Sequence, residues 1–172
     1  LQQGYAQRTG LLPEPADDQG RPPRPLYMVA EKIVAAHEAI PPDWAIHGTA
    51  GHRFAHVAGG VLIDTDAAER FAHIWRNFTG ESRSAALLAH DGKRDIMRFA
   101  LASELQVLST ELMRIAHADR RTRDYTYNAL RRTLAEVVAS MRVYRSHIRD
   151  QPSEQDRRTI DRAVTDARQY SR

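Results

Sequence analysis

The hydrophobic pattern of this chain changes period near residue 63. Before that point apolar residues come in short runs, Leu26-Tyr27-Met28-Val29-Ala30 and then Ala45-Ile46-His47, rich in side chains that suit a pleated strand. Beyond it they recur at helical spacing. Phe71, Ile74, Trp75 and Phe78 fall at i, i+3, i+4 and i+7, one stripe of an amphipathic helix. Asp64, Thr65 or Asp66 suits its start and Gly80 its end. Met97, Leu101, Leu105, Leu108, Leu112 and Ile115 alternate steps of four and three and predict the longest helix, its stripe facing a core. Gly92 is expected to separate it from an earlier helix over 84–89. Thr126 can cap a third helix that buries Leu130, Leu134, Val137, Val138 and Met141. Ser153-Glu154-Gln155-Asp156 has the form of a capping box and opens a last helix with Ile160 and Val164 inward.

The N-terminal part reads differently. Residues 1–8 suit the end of a helix. Residues 9–25 carry Gly10, Pro13, Pro15, Gly20, Pro22, Pro23 and Pro25 among acids and arginines, which is a loop composition. A short helical segment is expected over 32–39, between the two strands. The helices beyond Thr65 suffice for a bundle, whereas an isolated strand pair is marginal in water.

Composition narrows the function classes. The 172 residues are 42% hydrophobic, and no apolar run approaches the ~20 residues a membrane span needs. The first residues have neither the charged region nor the hydrophobic stretch of a signal peptide, and they lack Met, as an excised fragment would. A cytoplasmic protein without a membrane partner is expected. With no cysteine, disulfides and thiolate catalysis are excluded. A net charge of +3 and a pI near 9.5 would suit nucleic acid. The pattern argues against it: 23 of the 25 basic residues are arginine, interleaved with acids as in Asp119-Arg120-Arg121-Thr122-Arg123-Asp124. Mixed-sign strings make solvated faces with local ion pairs, while a phosphate-binding surface gathers one sign on one side. No nucleic-acid partner is expected.

Glu31 and Lys32 stand where the first strand should end. In parallel α/β barrels the C-terminal tips of strands carry the catalytic groups. Read by itself, a glutamate there is better explained as a cap of the following helix, paired with Lys32 or a nearby arginine.

Wider stretches change that balance. Leu-Tyr-Met-Val-Ala-Glu-Lys-Ile-Val over 26–34, Pro42-Asp43-Trp44, His47-Gly48-Thr49-Ala50-Gly51, Ala102-Ser103-Glu104-Leu105-Gln106-Val107-Leu108, 118–124 and Val143-Tyr144-Arg145 follow one family's order. In them the chain resembles the maltooligosyltrehalose synthases of the α-amylase superfamily, from residue 26 to about 148. The resemblance implies a mainly α chain: a helical insertion domain attached to a small β/α piece of a TIM-type (β/α)8 barrel. Residues 1–25 would be the end of a barrel helix and a Pro/Gly-rich loop, 26–62 barrel-edge strands and turns carrying Glu31, and 63–172 the helical insertion domain.

It also implies chemistry. Such an enzyme converts the α-1,4 bond at the reducing end of a maltooligosaccharide into an α,α-1,1 bond, with neither metal nor organic cofactor. Glu31 would be the general acid/base, protonating the leaving glycosidic oxygen and then deprotonating the incoming hydroxyl. A nucleophilic carboxylate must lie ~5 Å away. The family's nucleophile, an Asp on the preceding strand, and its third carboxylate have no counterpart here, since Asp17 and Asp18 lie in the loop with no strand before them. The chain alone is therefore expected to be inactive and to need the remaining barrel as its partner. Lys32 would bond sugar hydroxyls or hold Glu31, or else be a surface lysine. His47 and Thr49 suit a polyhydroxylated ligand, and equally a turn with a satisfied histidine. Trp44 is a stacking platform or a core tryptophan. Where the family continues with Tyr-Asp-Phe, this chain has His52-Arg53-Phe54, so the substrate contact expected at His52 is altered. His52 and His56 stand at i, i+4, a spacing that suits a metal, but no Glu follows His52 and no third ligand is evident. The helices would wall the cleft against water. A different class, a stand-alone helical interaction module without catalysis, would account for the missing carboxylates.

Overall fold

The computed structural model describes residues 1–170 except 12–14, 19, 36 and 149. Much of the expected 9–25 loop is irregular backbone, while its part at Pro13 lies outside the described residues. The chain is mainly helical and forms two compact units, Leu1–Phe71 and Ala72–Arg172. No helix among the described residues is long and apolar enough to cross a membrane.

The first unit opens with α1 (Gln2–Thr9), which ends where Gly10 takes a left-handed conformation (φ 69°) that its missing Cβ permits. Two short strands follow, β1 (Val29–Ala30) and β2 (Gly48–Thr49), paired in parallel with Val29 opposite Gly48 and Ala30 opposite Thr49. The ladder extends by one bond at each end, from His47 N–H to Met28 O (2.8 Å) and from Ala50 N–H to Ala30 O (2.9 Å). The second strand thus falls C-terminal to its expected place at 45–47. Gln2 accounts for the shift. Its carboxamide donates to Leu26 O and Ala45 O and accepts from Leu26 N–H, each at 2.8 Å, so those groups are occupied before the strands can pair.

The helix expected over 32–39 is absent among the described residues. Lys32 is buried against Glu38 (Nζ–Oε1 2.6 Å), and Glu38 closes a turn by accepting from Ala35 N–H. Residues six apart point to different sides of a helix, so this pair and a helix exclude each other.

α2 (His52–Val61) and a 3-10 turn at Thr65–Ala67 lead into α3 (Ala68–Thr79), which crosses the boundary between the units. Asp64 accepts from Asp66 N–H, and Gly80 ends α3 at φ 70° with its N–H on Arg76 O. The helix is as expected, but its apolar stripe is not covered: Phe71 is 70% exposed and Phe78 87%.

The second unit packs α6 (Tyr127–Ala139) against α4 (Ala85–Phe99), α5 (Ala102–Ala118) and α7 (Glu154–Tyr170). Its core is Met97, Leu105 and Ala139, with Leu134 and Ala135 against them. Side-chain caps begin three of these helices. Ser84 accepts from Leu87 N–H, Thr126 from Ala129 N–H, and Ser153 exchanges bonds with Asp156 in both directions.

The single long helix through 97–115 is instead two. Gly92 sits inside α4, and the break comes at Ala100 and Leu101, whose N–H groups both reach Ile96 O (2.9 Å). Leu101, Leu108 and Ile115 are exposed, and α5 buries Leu105, Ser109 and Ala116. Ser109 enters the interior by donating to Leu105 O at 2.6 Å. The two small residues on that face favour close approach of a neighbouring helix, which a row of leucines would hold off.

Candidate functional site

Alternation along the first strand decides which side chains reach solvent. Tyr27, Val29 and Glu31 are exposed, while Met28 and Ala30 are half-buried and Lys32 is buried. Glu31 leaves the end of β1 with its side chain 84% exposed. Beyond β2 the chain turns at Gly51 (φ 60°), the residue before α2, and His52 N–H donates to Ala50 O (2.7 Å). Ala50 is itself bonded to Ala30 O, so the first turn of α2 sits beside the end of β1. His52 Nε2 comes within 3.9 Å of Glu31 Oε1.

The other candidates take different places. Lys32 points opposite to Glu31, and its ammonium is committed to Glu38 rather than presented to a ligand. His47 is exposed but engaged: its Nδ1 accepts from Met28 N–H (3.3 Å), and its ring lies 4.8 Å from that of Tyr27. Thr49 is half-buried in the ladder opposite Ala30, one residue before Glu31. Trp44 is half-buried in the turn before β2. His56 lies one helical turn after His52, and among the described residues no three His, Cys, Asp or Glu side chains are grouped to hold a metal ion. Asp17 is paired with Arg21 inside its own loop (2.6 Å). Of the expected set, the structure brings Glu31 and His52 together.

Gln2, Arg24 and Glu38 escaped the sequence reading. Arg24 holds Ile46 O at 2.9 Å, and with Gln2 it ties the segments flanking β1 to those flanking β2. Their separations of 22, 43 and, for Lys32 with Glu38, six residues match no helix or strand period. No local signal could have found them.

Several titratable groups of the second unit are paired with one another. Arg83 grips Glu81 with side-chain and backbone hydrogen bonds, which lower the Glu81 carboxyl from 4.5 to about 2. Arg121 does the same for Asp119 in the turn after α5 and depresses that carboxyl. His90 is buried, stacked on Tyr170 (4.1 Å between centroids) and 3.2 Å from Glu136 Oε2 without the alignment of a hydrogen bond. Glu136 is also held by Arg94 at 3.1 Å, and this set fastens α4 to α6.

Neither a protein-family profile nor a curated protein sequence matches the chain. A solved structure of a glycosyltrehalose synthase shares its fold, with a TM-score of 0.58 and 18% identity over 82% of the chain. The chain spans about a fifth of that protein's length, 19%.

Proposed function

We propose that the chain is part of an isomerase acting by intramolecular transglycosylation, which converts the reducing-end α-1,4 linkage of maltooligosaccharides to α,α-1,1. The observation that carries this reading is Glu31, a solvent-facing carboxylate at the end of a strand in a parallel pair, where barrel enzymes keep their catalytic groups. The fold shared with a glycosyltrehalose synthase supports it, as do the sequence stretches around Glu31. Glu31 would protonate the leaving oxygen and then accept the proton of the attacking hydroxyl. Trp44, His47 and Thr49 would line the sugar's approach. Lys32 would act from behind, bracing through Glu38 the turn that follows Glu31.

Retaining transfer needs a second carboxylate as nucleophile, and the chain alone would not turn substrate over. A longer polypeptide would supply that group and the rest of a barrel, and would cover the apolar stripes of α2 and α3. In the intact protein, Glu31→Gln should lower kcat by about 10²–10⁴-fold with little change in substrate affinity. Wild-type turnover in that variant would remove Glu31 from the mechanism.

The second reading, a helical interaction module, is favoured by the uncovered stripe of α3, where even Trp75 is 55% exposed. Maltooligosaccharide turnover by the intact wild-type protein decides between the two.

A further inference from the structure

We infer that His52 is a positioning residue for the Glu31 carboxylate; the inference rests on the reading of Glu31 as acid/base. Three observations converge on it. First, His52 Nε2 lies 3.9 Å from Glu31 Oε1, and among the described residues no lysine or arginine pairs with Glu31. Second, His52 takes the first helical position of α2, whose opening turn carries no acid and continues with Arg53. A negative charge near a helix N-terminus is favoured by the macrodipole. Glu31, arriving from β1, supplies the negative charge that the helix lacks. Third, the bond from Ala50 N–H to Ala30 O and that from His52 N–H to Ala50 O fix the backbone distance between the two side chains. A small rotation of either side chain would bring them to hydrogen-bond distance, the tightening expected when a ligand enters an open site.

An acid/base carboxylate that is 84% exposed samples many rotamers, and only those aimed at the glycosidic oxygen are productive. A donor at Nε2 restricts that choice without touching the sugar. The charge is not essential to this role, since a neutral amide N–H at the same reach also donates.

The test has two independent arms. In the intact protein with a maltooligosaccharide, His52→Ala should lower kcat by about 10–10²-fold while KM stays nearly constant. His52→Gln, whose Nε2 amide takes the place of the imidazole nitrogen, should recover most of kcat, and Arg53→Ala should leave it unchanged. A loss confined to KM would make His52 a direct sugar contact and overturn the inference, as would full kcat in His52→Ala.

The second arm needs no turnover and so survives failure of the synthase reading. In the 172-residue chain, Glu31→Gln should shift the His52 ring resonances, and His52→Ala should shift the Glu31 carboxyl carbon. Unmoved resonances in both variants would overturn the pairing. Circular dichroism of each variant checks that the exposed substitutions leave the helices intact.

Discussion

Residues 72–170 hold every buried apolar side chain among the described residues, whereas the buried side chains of 1–71 are Gln2 and Lys32. One unit is held mainly by apolar contact, which is non-directional and tolerant of shape, with the Arg94–Glu136 pair beside it. The other is held by a few hydrogen bonds and one buried ion pair, each of which demands a particular partner. The exposed carboxylate and histidine belong to the second kind. A site built on directional bonds is positioned accurately at little cost in apolar area. The same economy leaves Tyr27, Phe54, Val57 and Val61 facing solvent.

The two units should respond differently to substitution. Leu105→Ala removes one of three central core residues and should destabilise the bundle by about 2–5 kcal/mol, measured by urea unfolding of the helical signal. Hydrogen exchange at the Leu26 amide should be unaffected in that variant; a parallel loss of protection would show the two units unfolding as one.

A smaller effect is expected from Gln2→Ala. It strips the partners from Leu26 N–H, Leu26 O and Ala45 O at once and should cost about 1–3 kcal/mol, read as faster exchange at the Leu26 amide. Unchanged exchange would mean that apolar contact holds this unit after all.

The smallest effect belongs to the exposed Glu81–Arg83 clamp. The Glu81 carboxyl lies below its unfolded value, so its contribution to stability is present above pH 4.5 and fades as pH falls towards about 2. Solvent screening keeps that contribution slight. Arg83→Gln should raise the Glu81 titration midpoint, followed by NMR, back towards 4.5. A wild-type midpoint already at 4.5 would show that the clamp does not form.

What was legible follows from distance along the chain. Thr126, Ser153 with Asp156, Asp64 and Gly80 all perform the terminal roles their residue types suggest, because a cap acts within three or four residues. The stripe of α3 predicted its helix correctly, but period reports which residues share a face and not what covers it. The 97–115 stripe predicted one helix where there are two, since a break that nearly preserves the phase leaves the spacing intact. No Gly or Pro marks it. Glu31 was legible as a charge ending a strand and His52 as a departure from the family's run, but their approach was not, since 21 residues, a second strand and a glycine turn separate them.

The helical character of the chain and the caps that bound its helices follow from its residues alone, since each is set by interactions within one or two turns. Tertiary structure alone decided that Gln2 would stand where two strands might have paired, that Lys32 would turn inward to Glu38, and that His52 would face Glu31. Those contacts close loops of six to 43 residues. Loop closure depends on where the whole chain goes, and no residue's own preference encodes it.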